Sequence, residues 1–130
     1  MKLLVTGGYG FIGSNFILKL LNENKEFKIK NIDAELNGSN PKNLSSIKNH
    51  KNYEFVKGDI TNYYLMEKLI EECDIVINFA AESFVDRSIN DAKPFLSSNI
   101  FGTHNILDII TKKNKVIGVS LDNKKVYQAR

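Results

Sequence analysis

The chain has 130 residues, 42% of them hydrophobic and 25% charged, which is the balance of one ordinary globular domain. Its net charge of +3 comes from lysines that are spread along the chain and mixed with acids, so no basic run indicates a nucleic-acid partner. No apolar stretch approaches the ~20 residues of a membrane span, no secretory signal pattern opens the sequence, and the single cysteine, Cys73, fits a reducing compartment. We therefore expect a cytoplasmic protein without membrane or nucleic-acid contacts.

The first predicted element is a buried strand that runs into a glycine cluster. The apolar run 3–5 is typical of a strand buried on both faces, and a helical pattern follows Gly10. Gly7, Gly10 and Gly13 stand three residues apart, as in the dinucleotide-binding fingerprint. There the glycines allow a tight turn, close approach of backbone to a pyrophosphate, and close packing of helix on sheet. We expect the phosphates at the N-terminus of this helix.

A second strand, predicted over residues 27–32, ends in Asp33. This residue lies twenty positions after Gly13, the offset at which a carboxylate hydrogen-bonds the adenosine ribose hydroxyls. A carboxylate there also repels a 2′-phosphate, and neither Ala34 nor Glu35 offers a cation, so the sequence favours NAD over NADP. The alternative is that Asp33 only starts a turn.

The middle of the chain continues the alternation of strands and helices. Residues 34–52 are predicted as loop with a turn of helix near 44–47, followed by a strand over 53–57, a helix from Thr61 and a strand over 74–79. Asp59 lies just past a strand, where it either reaches the adenine or caps a turn. Three strand–helix–strand passages imply a parallel sheet with right-handed crossovers.

The last third is predicted as a helix from Asp91, in which Gly102 indicates close packing, then a fifth strand over 115–120 and a polar tail. The predicted fold is α/β, a doubly wound parallel sheet of Rossmann type with about five strands. Small residues after the fourth strand permit close approach to a nicotinamide ribose. Arg87 is either a phosphate binder for a nucleotide-linked substrate or an ion-pair partner of Asp86 or Asp91. His104 lies outside any metal-ligand spacing, so no metal site is predicted.

These motifs together resemble the extended short-chain dehydrogenase/reductase family, and within it the dTDP-glucose 4,6-dehydratases, with UDP-sugar epimerases as an alternative. The resemblance covers about residues 1–120. It rests on the run 6–16, on the turn 57–60, on residues 79–89 (FAAESFVDRSI) and on the segment 99–103.

The resemblance implies that NAD is the cofactor and a nucleotide sugar the substrate. It assigns the pyrophosphate to Gly7, Gly10, Phe11, Ile12 and Gly13, the ribose to Asp33, and the adenine to Asp59 and Ile60. It places Ala80, Ala81 and Ser83 beside the nicotinamide and the sugar, and Asn99 at the pocket floor.

Three departures from the family pattern bear on activity. Phe84 stands where the family usually has His, and the loop after Asp33 differs from the usual one. After the fifth strand Asp122 keeps its catalytic type, but the family's Thr and Glu are replaced by Leu121 and Asn123, and Asn cannot take a proton as a carboxylate can. The family's Tyr-x-x-x-Lys pair is also missing from its expected place, since the pairs 53/57 and 64/68 precede the fourth strand and are interpreted as coincidence.

Two hypotheses follow for the whole chain. In the first, residues 1–120 are the NAD-binding domain of a nucleotide-sugar enzyme truncated before its substrate domain, with a divergent tail over 121–130, and the chain alone is inactive. In the second, the chain is a free-standing NAD-binding or partner-binding module. In both, an exposed sheet edge predicts self-association or marginal stability, so we expect a homo-oligomer or a complementing chain to cover it.

Overall fold

The protein's structure, a computed structural model, describes residues 1–23 and 26–113, together with the backbone of residues 119–121 and 125–127. A parallel sheet of four strands lies at its centre in the order β3-β2-β1-β4. The strands are β1 (Lys2–Thr6), β2 (Lys28–Asp33), β3 (Tyr53–Lys57) and β4 (Ile75–Asn78). The predicted α/β fold is thereby confirmed, and β1 lies between β2 and β4.

The helices connect the strands and cover both faces of the sheet. They are α1 (Phe11–Glu23), a 3₁₀ segment (Pro41–Ile47), α2 (Tyr63–Glu71), α3 (Val85–Asn90), α4 (Lys93–Phe95), a π-helical segment (Leu96–Gly102) and α5 (Thr103–Lys112). The sequence predicted all of these regions as helix except α3. The six residues of α3 include only two apolar side chains, Val85 and Ile89, both exposed, which is too short a pattern to predict a helix.

Two hydrophobic cores result from the alternation of side chains along β1. Leu4 is fully buried with α2 and α5 on one face, whereas Val5 is buried with α1 on the other. Each such burial contributes roughly 1.5–3 kcal/mol. Coverage of both faces is what the continuous apolar run of β1 predicts.

The predicted close packing at Gly102 is confirmed. A Cβ atom at this position would lie 2.4 Å from Cδ1 of Ile60, a buried residue that follows β3. Glycine therefore lets the helix approach the chain beside the sheet's carboxyl edge.

The C-terminal region differs from the prediction of one further strand and a tail. Residues Val119–Leu121 form β5, which pairs antiparallel with β6 (Lys125–Tyr127) in a separate two-stranded sheet. The β-branched and aromatic residues Val126 and Tyr127 favour a strand within what was predicted as a tail. Residues 115–118, most of the predicted fifth strand, lie outside the described residues.

Candidate functional site

A cleft of about 260 Å³ lies where the carboxyl ends of the four parallel strands meet. This is the edge at which sheets of this type bind ligands. Eleven of the predicted site residues line it: Gly7, Gly10, Phe11, Ile12, Gly13, Asp33, Asp59, Ile60, Ala80, Ala81 and Ser83. Asn99 and Arg87 are not among its lining residues.

Glycine is needed for a different structural reason at each of three positions in the loop after β1 and the start of α1. Gly7 has a φ of +66°, and a Cβ atom there would lie 2.6 Å from the backbone nitrogen of Ala80. A Cβ atom at Gly13 would lie 2.4 Å from the carbonyl oxygen of Gly7, so helix α1 packs directly on the loop. At Gly10 the nearest such contact is 3.2 Å, which leaves its exposed side open toward the cleft.

The start of α1 directs unpaired donors into the cleft. The N–H of Ser14 makes a 3.0 Å bond to the carbonyl of Gly10, so the N–H groups of Phe11, Ile12 and Gly13 precede this first bond of the helix. These groups and the helix dipole attract an anion. Phe11 and Ile12 are 81% and 66% exposed, which leaves an apolar surface beside the donors for a ligand to cover.

Asp33 lines the cleft and also holds its walls together. Its carboxylate accepts the N–H of Tyr9 at 2.9 Å, the N–H of Glu35 at 2.8 Å and the hydroxyl of Ser39 at 2.6 Å. It is therefore a turn residue, as the sequence alternative had it, and also a buried carboxylate at the cleft. Two carboxylate oxygens provide about four acceptor positions, so about one remains beside these three donors.

Asn31 is a structural determinant of the cleft that the sequence analysis missed. Its side chain is fully buried; Oδ1 accepts the N–H of Gly8 at 3.1 Å and Nδ2 donates to the hydroxyl of Tyr53 at 3.0 Å. Because side chains alternate along a strand, Asn31 and Asp33 point to the same side and hold two successive loop amides, those of Gly8 and Tyr9. A polar Asn between the buried residues Ile29 and Ile32 was the sequence signal that could have indicated this role.

Tyr9 and Tyr53, together with Asn31 and Asp33, form one cluster of polar side chains. Burial raises the pKa of both phenols above its usual value, and the neighbouring Tyr53 raises the pKa of Tyr9 further. Both hydroxyls therefore remain neutral donors well into alkaline pH, which keeps the cluster intact.

Asp59 and Ile60 line the cleft, and each also makes contacts within the protein. Oδ1 of Asp59 accepts both the N–H and the hydroxyl of Thr61 at 2.8 Å, the turn role that the sequence left open. Ile60 lines the cleft but packs against Gly102 in the core.

The chain leaving β4 is held by side chains on both sides. The hydroxyl of Thr6 donates to Oδ1 of Asn78 and accepts the N–H of Ala80 at 3.2 Å. Asn99, in the π-helical segment, accepts the N–H of Glu82 at 2.8 Å and donates to its carbonyl at 2.9 Å. Asn99 therefore positions the segment that lines the cleft, and its amide is turned to that backbone.

Arg87 lies next to the cleft on α3. Its guanidinium carbon lies 5.1 Å from the centre of the Phe84 ring, a cation–π arrangement. Among the described residues it makes no ion pair with Asp86 or Asp91, the alternative that the sequence allowed.

The chain matches one protein-family model over residues 4–129, the family described as GDP-mannose 4,6 dehydratase. The protein belongs to this family. The relatives it resembles include the low-salt glycan biosynthesis protein Agl12 of Haloferax volcanii, 46% identical over 108 residues, which are 83% of this chain and 34% of that protein. The dTDP-glucose 4,6-dehydratase of Mycolicibacterium smegmatis is 40% identical over 88% of this chain and 34% of its own length.

Solved structures of a dehydratase and of an epimerase have the same fold as this chain. The dTDP-glucose 4,6-dehydratase of Bacillus anthracis, solved in complex with NAD, superposes with a TM-score of 0.76 at 43% identity and covers 87% of this chain and 34% of its own. A UDP-glucuronic acid 4-epimerase from Bacillus cereus gives 0.78 at 30% identity, over 94% of this chain and 38% of its own. The chain thus spans about a third of the length of the relatives that it matches, in their N-terminal part.

Neither of the sequence pairs that mimic Tyr-x-x-x-Lys is among the residues that line the cleft. The hydroxyl of Tyr53 bonds Asn31, Lys57 pairs with Glu35, and Tyr64 is 83% exposed on α2. Asp122, to which the resemblance assigns a catalytic role, lies outside the described residues and stays a prediction. Within the described part of the chain, no helix is long and apolar enough to cross a membrane, and no cluster of three metal-ligating side chains occurs.

Proposed function

We propose that residues 1–120 are the NAD-binding portion of a cytoplasmic nucleotide-sugar dehydratase, and that the chain alone binds NAD without turning over a sugar. One observation carries this proposal: the open start of α1, the buried carboxylate of Asp33 and the small residues Ala80 and Ala81 all line the same cleft. A dinucleotide needs these three features together, for its phosphates, its adenosine ribose and its nicotinamide end.

The residues of the cleft fit the parts of NAD. The N–H groups of Phe11, Ile12 and Gly13 bind the diphosphate, and Asp33 accepts from the adenosine ribose. Asp59 and Ile60 border the adenine. Ala80, Ala81 and Ser83 leave space for the nicotinamide ribose and the sugar, with Asn99 acting through the backbone of Glu82.

The preference for NAD over NADP has a basis in the described charges. Lys57 stands opposite Asp33 in the register of β2 and β3, where it could neutralise a 2′-phosphate. It is instead paired with the carboxylate of Glu35. A 2′-phosphate would therefore meet the carboxylate of Asp33, while the neighbouring Lys57 is held by Glu35.

The lining residues explain why binding is separated from turnover. Bound NAD supplies a hydride acceptor. Among the described residues that line the cleft, however, there is no Tyr, Lys or His to move a proton from a sugar hydroxyl. Three carboxylates line the cleft: Asp33 accepts three donors and Asp59 accepts two, while Glu82 stands without a Tyr or Lys partner among the described lining residues. We propose that turnover, including any role of Asp122, requires groups supplied from elsewhere.

Gly10→Val is the variant that tests the proposal with least damage to the fold. Its side chain meets no described backbone atom closer than 3.2 Å at Cβ, whereas the corresponding contacts at Gly7 and Gly13 are 2.6 and 2.4 Å. We expect saturating NAD to raise the Tm of the wild-type chain and to leave that of Gly10→Val unchanged, because a ligand that binds the folded state stabilises it. Formation of a 4-keto product from dTDP-glucose by the purified chain would contradict the separation of binding from turnover.

A second candidate, a module that binds another polypeptide, is favoured by exposed apolar residues outside the cleft. Ile100, Phe101 and Leu107 in the π-helical segment and α5 are about half or more exposed. Light scattering tests whether the other polypeptide is a second copy of this chain, since a monodisperse monomer at all concentrations would exclude that partner.

A further inference from the structure

The loops that follow β2 and β4 meet above the end of β1. The contact joins Gly38, in the loop after β2, to the ring of Phe84, just before α3: a Cβ atom on Gly38 would lie 3.2 Å from Cε2 of Phe84. Because β1 lies between β2 and β4 in the sheet, this contact crosses the glycine loop and the start of α1. Gly38 and Phe84 both line the cleft, so together they form a bridge over it.

The bridge depends on the residue types at both of its ends. Gly38 has a φ of +91°, a backbone conformation that other residues rarely adopt, and it has no side chain to keep the ring away. Phe84 is 49% exposed, so half of a large apolar ring faces water or the cleft. Arg87 stacks on this ring and limits its freedom.

Resting on the proposed NAD site, we propose that Phe84 is a specificity-determining residue that covers the diphosphate of a bound dinucleotide. A dinucleotide extends from Asp33 to Ala80 and passes below the Gly38–Phe84 bridge. A mononucleotide at Asp33 ends before it. Covering the diphosphate removes apolar surface from water and shields the interaction of the phosphates with the N–H groups of α1. Phe84 therefore favours dinucleotides over mononucleotides.

The test compares NAD with AMP, which shares the adenosine end but stops at the first phosphate. Calorimetry is performed on the 130-residue wild-type chain, on Phe84→Ala and on the matched control Phe101→Ala, whose ring is exposed and does not line the cleft. We expect Phe84→Ala to lower the affinity for NAD about tenfold, equivalent to ~1.4 kcal/mol, and to leave the affinity for AMP unchanged. Phe101→Ala should leave the affinity for both ligands unchanged.

A second variant gives a direct readout. The chain has no tryptophan, so Phe84→Trp introduces a single fluorophore at the bridge. We expect NAD and ADP-ribose to change its emission, and AMP at saturation to leave it unchanged.

The outcomes separate this proposal from the proposed function. The role of Phe84 is overturned, and the NAD site stands, if the wild type and Phe84→Ala bind NAD equally well. The same holds if Phe84→Ala lowers the affinities for NAD and AMP by the same factor. If the wild type binds neither NAD nor ADP-ribose, the proposed function itself fails, and the role of Phe84 fails with it.

Discussion

The side-chain oxygen of Asn31 accepts the backbone N–H of Gly8 at a distance of 3.1 Å, so a residue inside β2 fixes the loop that follows β1. Asp33, two residues later, holds the N–H of Tyr9 in the same way. The shape of the glycine loop therefore depends on two polar side chains of a neighbouring strand as well as on its own glycines. A substitution of Asn31, which does not line the cleft, should therefore reach the candidate NAD site without touching the ligand.

Asn31→Ala removes the acceptor of a buried N–H and the partner of Tyr53. We expect the free energy of unfolding to fall by about 1–3 kcal/mol, since a buried donor left without a partner costs that amount. Urea unfolding measures it, with Asn22→Ala on the exposed side of α1 as the matched control, which should change stability by less than about 0.5 kcal/mol. Equal stability of the two variants would show that the Asn31 bond does not hold the loop.

Gly102→Ala reverses the usual effect of this substitution in a helix. At an exposed position it stabilises by about 1 kcal/mol. Here the new methyl group meets Cδ1 of Ile60 at 2.4 Å, so we expect destabilisation of about 1–3 kcal/mol instead. Thermal unfolding of the variant decides between the two signs, and a rise in Tm would contradict the packing described at the helix.

Tyr53→Phe should make the protein less sensitive to alkaline pH. The pKa of Tyr53 is raised by burial, so the unfolded state loses this proton first, near pH 10. The stability linked to the phenol is therefore fully present below pH 10 and is lost as the pH rises through the folded-state pKa. We expect the decline in unfolding free energy between pH 9 and about pH 11 to be shallower in Tyr53→Phe.

Tyr64→Phe, which removes an exposed hydroxyl on α2, is the matched control for this comparison. Tyr53→Phe also loses the bond from Asn31, so each variant is compared with its own stability at pH 9. An alkaline decline of the same steepness in Tyr53→Phe and the wild type would contradict the burial of this phenol.

Asn99→Ala frees the segment that leaves β4. Both polar atoms of the Asn99 amide bond the backbone of Glu82, so we expect faster hydrogen exchange of the Glu82 N–H, by roughly tenfold for a loss of ~1.4 kcal/mol. Exchange measured by NMR gives the rate at this single amide. Ser97→Ala, at an exposed position of the same π-helical segment, should leave it unchanged. An unchanged rate in Asn99→Ala would show that the segment is held by other contacts.

Local pattern predicted the framework of the fold well. Apolar runs and alternation identified the four parallel strands, and the glycine spacing placed the cleft at the end of β1, because buried strands and tight turns leave strong local signals. The helix α3 gave no such local signal, because its six residues are too few to show a helical pattern.

The site was less predictable where it depends on distant contacts. The bonds of Asn31 to the glycine loop and of Asn99 to Glu82 join residues 23 and 17 positions apart. The resemblance named Asn99 and Phe84 but not Asn31, and only the three-dimensional structure shows that Asn99 supports backbone and that Phe84 meets Gly38.

Calorimetric titration of the wild-type chain with NAD, and in parallel with NADP, tests the central claim most directly. We predict saturable binding of NAD with one site per chain, and binding of NADP at least about tenfold weaker, because the carboxylate of Asp33 lines the cleft and Lys57, its neighbour on β3, is paired with Glu35. Absence of saturable heat with NAD at millimolar concentration would contradict the claim that this cleft is a dinucleotide site.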